Sequence, residues 1–98
     1  NKYNQYNYFT NENKAQQYVD HIKLQLELFQ IRDLINGDWR PDWSNRNEEK
    51  HYILLDNDSI ITNYVYTIVK PLAFKTEEKM TKFMELVGED KIINFLSF

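Results

Sequence analysis

The stretch from Glu12 to Asn36 constrains this chain most, because it holds neither Gly nor Pro and is apolar on two opposite faces. Ala15, Tyr18, Val19, Ile22, Leu26 and Phe29 recur at helical spacing and form one stripe. Leu24, Leu28, Ile31 and Ile35 form a second, at i, i+4, i+7 and i+11. At about 100° per residue the second stripe lies nearly opposite the first. Lys23, Glu27 and Gln30 separate the two on one flank, and His21, Gln25 and Arg32 on the other. The length and the absence of breakers predict a helix rather than a strand. Thr10 and Asn11 are good N-cap residues, Glu12 suits the first turn, and Gly37 supplies the left-handed stop. Such a helix would be about 37 Å long.

A helix apolar on two faces is normally buried on both. In a chain of 98 residues there is room for one core and one domain. One face can pack on a sheet; the other needs a second helix, a second subunit or a partner. The stripe Leu24, Leu28, Ile31 and Ile35 is taken as the candidate interface, for a homodimer or for another protein.

The rest of the chain supplies the sheet. Tyr6 to Phe9 is short and aromatic and predicts an edge strand. Asp38 to Glu49 is a polar loop carrying Trp39, Pro41 and Trp43. His51 to Leu55, the turn Asp56-Asn57-Asp58-Ser59, and Ile60 to Val69 predict a hairpin rich in β-branched and aromatic residues. Pro71 interrupts it, leaving Leu72-Ala73-Phe74 as a short separate piece. A second helix is predicted after Thr76, with Phe83, Met84 and Val87 on its apolar face. Gly88 breaks it before Ile92, Ile93 and Leu96. The expected fold class is therefore α+β: a small antiparallel sheet on one long helix, with a shorter broken C-terminal helix, in β-α-β-β-α order. A gapless internal match sets Phe9, Glu12, Lys14, Tyr18, Val19 and Ile22 against Phe74, Glu77, Lys79, Phe83, Met84 and Val87. It would make two β-α units sharing one sheet, although any strand-to-helix junction needs similar chemistry.

Composition narrows the function classes. The chain has no Cys, which rules out a disulfide scaffold and a thiolate zinc site. No run approaches the roughly 20 apolar residues of a membrane span, so a cytoplasmic location is expected. The net charge of −3 disfavours sequence-independent nucleic-acid binding. No cofactor or metal is expected. Gly37 and Gly88 are the only glycines, so no Gly-rich phosphate loop can form. His21 and His51 have no helix-spaced ligand partner and are read as structural. Asp56-Asn57-Asp58 lacks the Gly and distal Glu of a calcium loop and is read as a turn. Pro41-Asp42 followed by Glu48-Glu49-Lys50 has the outline of a PD-(D/E)xK nuclease motif. That chemistry needs carboxylates held at strand ends around a metal, and these sit in one polar loop. Ser44, Ser59 and Ser97 lack a nucleophile motif. The chain is expected not to be an enzyme.

Trp39 and Trp43 admit two readings. Both indoles could cap the core where the long helix meets the sheet, which buried area favours. Exposed, they could anchor a protein interface, or join Arg40 and Arg46 in stacking on bases. Tyr52, Tyr64 and Tyr66 alternate along the hairpin and are read as one sheet face.

Several motifs occur together: Asn7-Tyr8-Phe9-Thr10, then Trp39-Arg40-Pro41-Asp42-Trp43-Ser44-Asn45-Arg46-Asn47, then Lys50-His51-Tyr52-Ile53, and Phe74-Lys75-Thr76-Glu77-Glu78. The whole resembles a group of small phage and prophage proteins of low-GC bacteria. Asn13 and Lys14 depart from it where acidic residues are preferred, and Glu49 where Gln is common. The resemblance implies a phage-encoded domain, residues 1–98 forming the C-terminal part of a longer protein. It implies no activity and transfers no functional residue. The resulting expectation is a protein-binding domain aimed at a host or phage protein, for example an inhibitor of a host defence nuclease in the manner of anti-CRISPR proteins. A nucleic-acid-binding accessory module and a structural domain of a larger phage protein are the alternatives.

Overall fold

The computed structural model describes the backbone of residues 2–98 and the side chains of residues 12–98. Its elements are α1 (Lys2–Asn36), β1 (Lys50–Asp56), β2 (Ser59–Val65), β3 (Ala73–Phe74), α2 (Glu77–Val87) and α3 (Glu89–Leu96). This is an α+β arrangement of helices with a three-stranded antiparallel sheet of order β2-β1-β3.

The predicted strand at Tyr6–Phe9 is not formed. Those residues continue α1, which runs for 35 residues, about 52 Å. The physical reason is the missing breaker: Lys2 to Asn36 contains no Gly or Pro, so nothing stops the helix at Thr10. The internal match of two β-α units fails with that strand, because its first copy lies wholly inside one helix. At the other end the stop falls where Gly37 predicts it. Gly37 adopts φ +68 and its N–H donates to the Asp33 carbonyl at 3.0 Å.

The hairpin forms as read, with Asp56 opposite Ser59 and a two-residue loop between them. Asn57 and Asp58 both take positive φ, 50 and 65, which is the type I′ geometry that matches strand twist. β2 ends at Val65, earlier than the predicted Val69, because the chain bends at Tyr66. Of the alternating tyrosines, Tyr64 and Tyr66 lie together, 5.9 Å between ring centroids, and Tyr52 does not join them. Tyr64 pairs with His51 and Tyr52 with Asn63, so Tyr52 and Tyr64 point to opposite sides of the sheet.

The core lies on the side of the sheet that carries Ile53 and Phe74. Leu28 of α1, Met80 and Phe83 of α2, Ile92 and Phe95 of α3, and Leu72 close around them. Phe74 and Phe83 stack at a tilt, 4.9 Å between centroids. Thr76 caps α2 through its side-chain oxygen, which accepts from the Lys79 N–H at 3.1 Å. Gly88, at φ +89, separates α2 from α3 so that both can face the same core. Buried Asn36 ties the end of α1 to β3: its Nδ2 donates to the Ala73 carbonyl at 3.0 Å, and its Oδ1 accepts from Lys75 N at 3.3 Å. Among the described residues no helix is long and apolar enough to cross a membrane.

Candidate interaction surface

The loop after α1 is held by its own polar groups. Arg40 folds back, its Nη1 donating to the Gly37 carbonyl at 2.7 Å and the Trp39 carbonyl at 2.8 Å. Asp42 Oδ1 accepts from Ser44 Oγ at 2.6 Å and Ser44 N at 3.1 Å, an Asx-type turn. Glu48 Oε1 accepts from the Asp42 N–H at 2.9 Å and so closes the loop on itself. Lys50, the first residue of β1, is fully buried beneath it. Its Nζ donates to the Asn45 carbonyl at 3.0 Å and the Tyr66 carbonyl at 2.5 Å. It also lies 3.5 Å from Glu48 Oε1 and 5.6 Å from the centroid of the Trp43 ring. One ammonium thus ties the loop to the exit of β2, and the low-dielectric setting makes each contact count.

This geometry bears on the nuclease-like outline. Asp42, Glu48 and Lys50 do come together in space, but each is occupied by the loop's own hydrogen bonds. Lys50 has no solvent face from which to meet a phosphate. Among the described residues no group of three His, Cys, Asp or Glu side chains could hold a metal ion. His21 is stacked between Phe98, at 4.0 Å, and Phe95, at 5.3 Å. His51 lies 3.9 Å from Glu49 Oε2 and beside Tyr64.

The Asp42 carboxyl sits below its ordinary range. The Ser44 side-chain hydrogen bond is the main cause, followed by the Ser44 backbone N–H, with the charge of Lys50 adding to both. A carboxylate whose pKa is lower in the folded state stabilises the fold above the ordinary value of about 3.9. That contribution is lost as pH falls through the lowered value. Acid-unfolding curves of the wild type and Asp42→Asn should therefore differ at neutral pH and converge at the acid end. Curves that stay parallel at every pH would contradict the assignment.

Of the four loop residues considered for base stacking, the structure brings two together. Arg40 and Trp43 line one cleft of about 300 Å³ with Phe29, Arg32, Lys70 and Pro71. Trp39 and Arg46 lie outside it; Trp39 is half-buried and Arg46 exposed. Trp43 is half-buried too, so both indoles cover the body while keeping an outer edge. Sequence reasoning missed the cleft's second wall: Arg32 lies over the Phe29 ring at 4.2 Å, and its Nη1 donates to the Pro71 carbonyl at 2.7 Å.

The two stripes of α1 have roles opposite to those expected. Leu28 is 0% exposed, and Leu24, Ile31 and Ile35 pack against the core. That stripe is the face the domain buries against itself, so it is not available as an interface. The other stripe stands free: Tyr18 is 59%, Val19 44%, Ile22 54% and Leu26 56% exposed. Only Phe29 at its C-terminal end joins the core, with Phe98 edge-on to Tyr18 at 5.3 Å. Residues 12–20 are exposed all round, and among the described residues the first apolar side chain of α1 packed against the core is Leu24. No protein family matches the chain, and neither a curated protein nor a solved structure matches it.

Proposed function

We propose that this chain is a non-enzymatic protein-binding domain that presents the outward stripe of α1 to a groove on another protein. The observation behind this reading is the exposure of Tyr18, Val19, Ile22 and Leu26 along one helix face. Apolar anchors at helical spacing on a supported helix suit helix-in-groove recognition. Exposed apolar patches of this kind are costly to keep in water unless something covers them. The phage-like motif order suggests a phage-encoded product acting in the host cell on a host or phage protein. Inhibition of a host defence nuclease is the concrete version. Expressing the protein in a host with an active defence nuclease should restore uptake of a targeted plasmid; unchanged interference would remove that version.

A second reading rests on the cleft of Arg32, Arg40 and Lys70 beside Phe29 and Trp43, in which Asp33 offsets part of the positive charge by lying 2.9 Å from Arg32 and 3.9 Å from Arg40. Cations interleaved with aromatic rings suit a single-stranded nucleic acid. Affinity for an oligonucleotide that falls steeply with salt would favour it over the protein-binding reading.

A further inference from the structure

The outer edge of β2 carries a different kind of surface. Ile53 N donates to the Leu72 carbonyl at 3.2 Å, so the odd-numbered residues of β1 turn their hydrogen-bonding groups toward β3. Their partners on β2 are Ile60, Thr62 and Tyr64. In an antiparallel ladder those residues must then aim N–H and C=O away from β1. Among the described residues no strand lies beyond them. Asn63 Oδ1 takes the Tyr64 N–H at 2.8 Å, which leaves the N–H groups of Ile60 and Thr62 as the donors on offer.

Edge strands are usually protected by Lys, Pro, a bulge or an inward charge. β2 has none of these. From Ser59 to Val69 there is no charged residue and no Pro, in a chain that is 28% charged. Neutrality matters most for pairing with an identical strand. A two-fold axis sets the residue that lies on it directly against its own copy, and a like charge there would repel.

We propose that β2 pairs antiparallel with β2 of a second copy of this chain, about a two-fold axis at Thr62. The register follows from the outward groups. Thr62 exchanges reciprocal N–H···O=C bonds with the second copy's Thr62, and each Ile60 N–H meets the other copy's Tyr64 carbonyl. Ile60 and Tyr64 then form a β-branched–aromatic cross-strand pair on each side of the axis. The two sheets become one, in the order β3-β1-β2-β2-β1-β3, and the edge is removed. This pairing is independent of whatever partner α1 meets.

Sedimentation of the full chain tests it, read together with amide hydrogen exchange. The wild type should sediment at twice its 12.0 kDa monomer mass at high micromolar concentration. The Ile60 and Thr62 amides should gain protection as concentration rises. Thr62→Pro removes an outward donor without touching the ladder to β1, and Thr62→Lys sets two ammonium groups face to face. Each should weaken association at least about tenfold, the proline by removing the reciprocal Thr62 hydrogen bonds and the lysine by like-charge repulsion across the axis. Folding of each variant is checked by circular dichroism, and Thr62→Lys decides the matter if the proline variant does not fold. A wild type that stays monomeric overturns the proposal. So does a dimer that both folded variants leave intact, or one in which those amides exchange freely.

Discussion

Leu28→Glu should abolish cooperative folding, whereas Leu26→Glu, two positions away on the same helix, should leave the thermal midpoint within a few degrees of wild type. Leu28 is in contact with the centre of the core and has no solvent exposure. A carboxylate there would be buried without a partner, since the core cluster to which Leu28 belongs is made of apolar side chains such as Ile53, Phe74, Phe83 and Ile92. The combined loss of apolar contact and unpaired charge is comparable with the whole stability of a small domain, about 5–15 kcal/mol. Leu26 is more than half exposed, and Glu is nearly as good a helix former as Leu, so its replacement should cost less than about 0.5 kcal/mol. Far-UV circular dichroism melts of the two variants check the contrast. Equal destabilisation by both would mean that the outward stripe is covered within the folded chain.

Lys50→Met should lower stability by about 2–4 kcal/mol, although it keeps most of the side chain's volume. The stem still fills its space, so packing loss is small. What disappears is the donor shared by the carbonyls of Asn45 and Tyr66 and the nearby Glu48 carboxylate. Those acceptors stay behind in part-buried contacts, so each carries part of the desolvation cost of an unsatisfied group. For a domain of this size that corresponds to a fall in melting temperature of roughly 10–25 °C. The loop should also loosen before the domain melts. Trypsin should then cut at Arg46 faster than in the wild type, and Trp43 fluorescence should shift to the red. A midpoint within two or three degrees of wild type would show that the ammonium is dispensable.

Much of this fold is legible in the residues themselves. Gly37 and Gly88 mark real helix ends because both require positive φ, and Thr76 caps because its hydroxyl lies three residues before Lys79. The hairpin follows from alternation and a short polar turn. The aromatic run Tyr6–Phe9 misled because a strand-like composition outweighed the absence of any breaker ahead of Thr10. Choosing the core stripe of α1 was a matter of position along the chain. Leu24 to Ile35 reaches almost to Gly37, where the chain turns back to build the sheet, while the stripe from Ala15 to Phe29 begins farther out and only its last member, Phe29, comes near enough to join the core. Weighing that distance would have assigned the faces correctly. Burial of Lys50 was not legible, since it depends on the Tyr66 carbonyl, distant in sequence and brought near only by the hairpin. The cleft of Arg32, Arg40 and Lys70 has the same origin: its walls come from α1, the loop and the segment before β3.

The claim that α1 binds another protein through its outward stripe is tested most directly by paired affinity purification. Tagged wild type and the Ile22→Glu variant would be passed over nuclease-treated lysate of a low-GC bacterial host, with bound proteins quantified by mass spectrometry. The account predicts one protein recovered near stoichiometry with the wild type and lost with Ile22→Glu, while both baits remain folded. Recovery of the same proteins by both baits, or of bait alone from both, would contradict it.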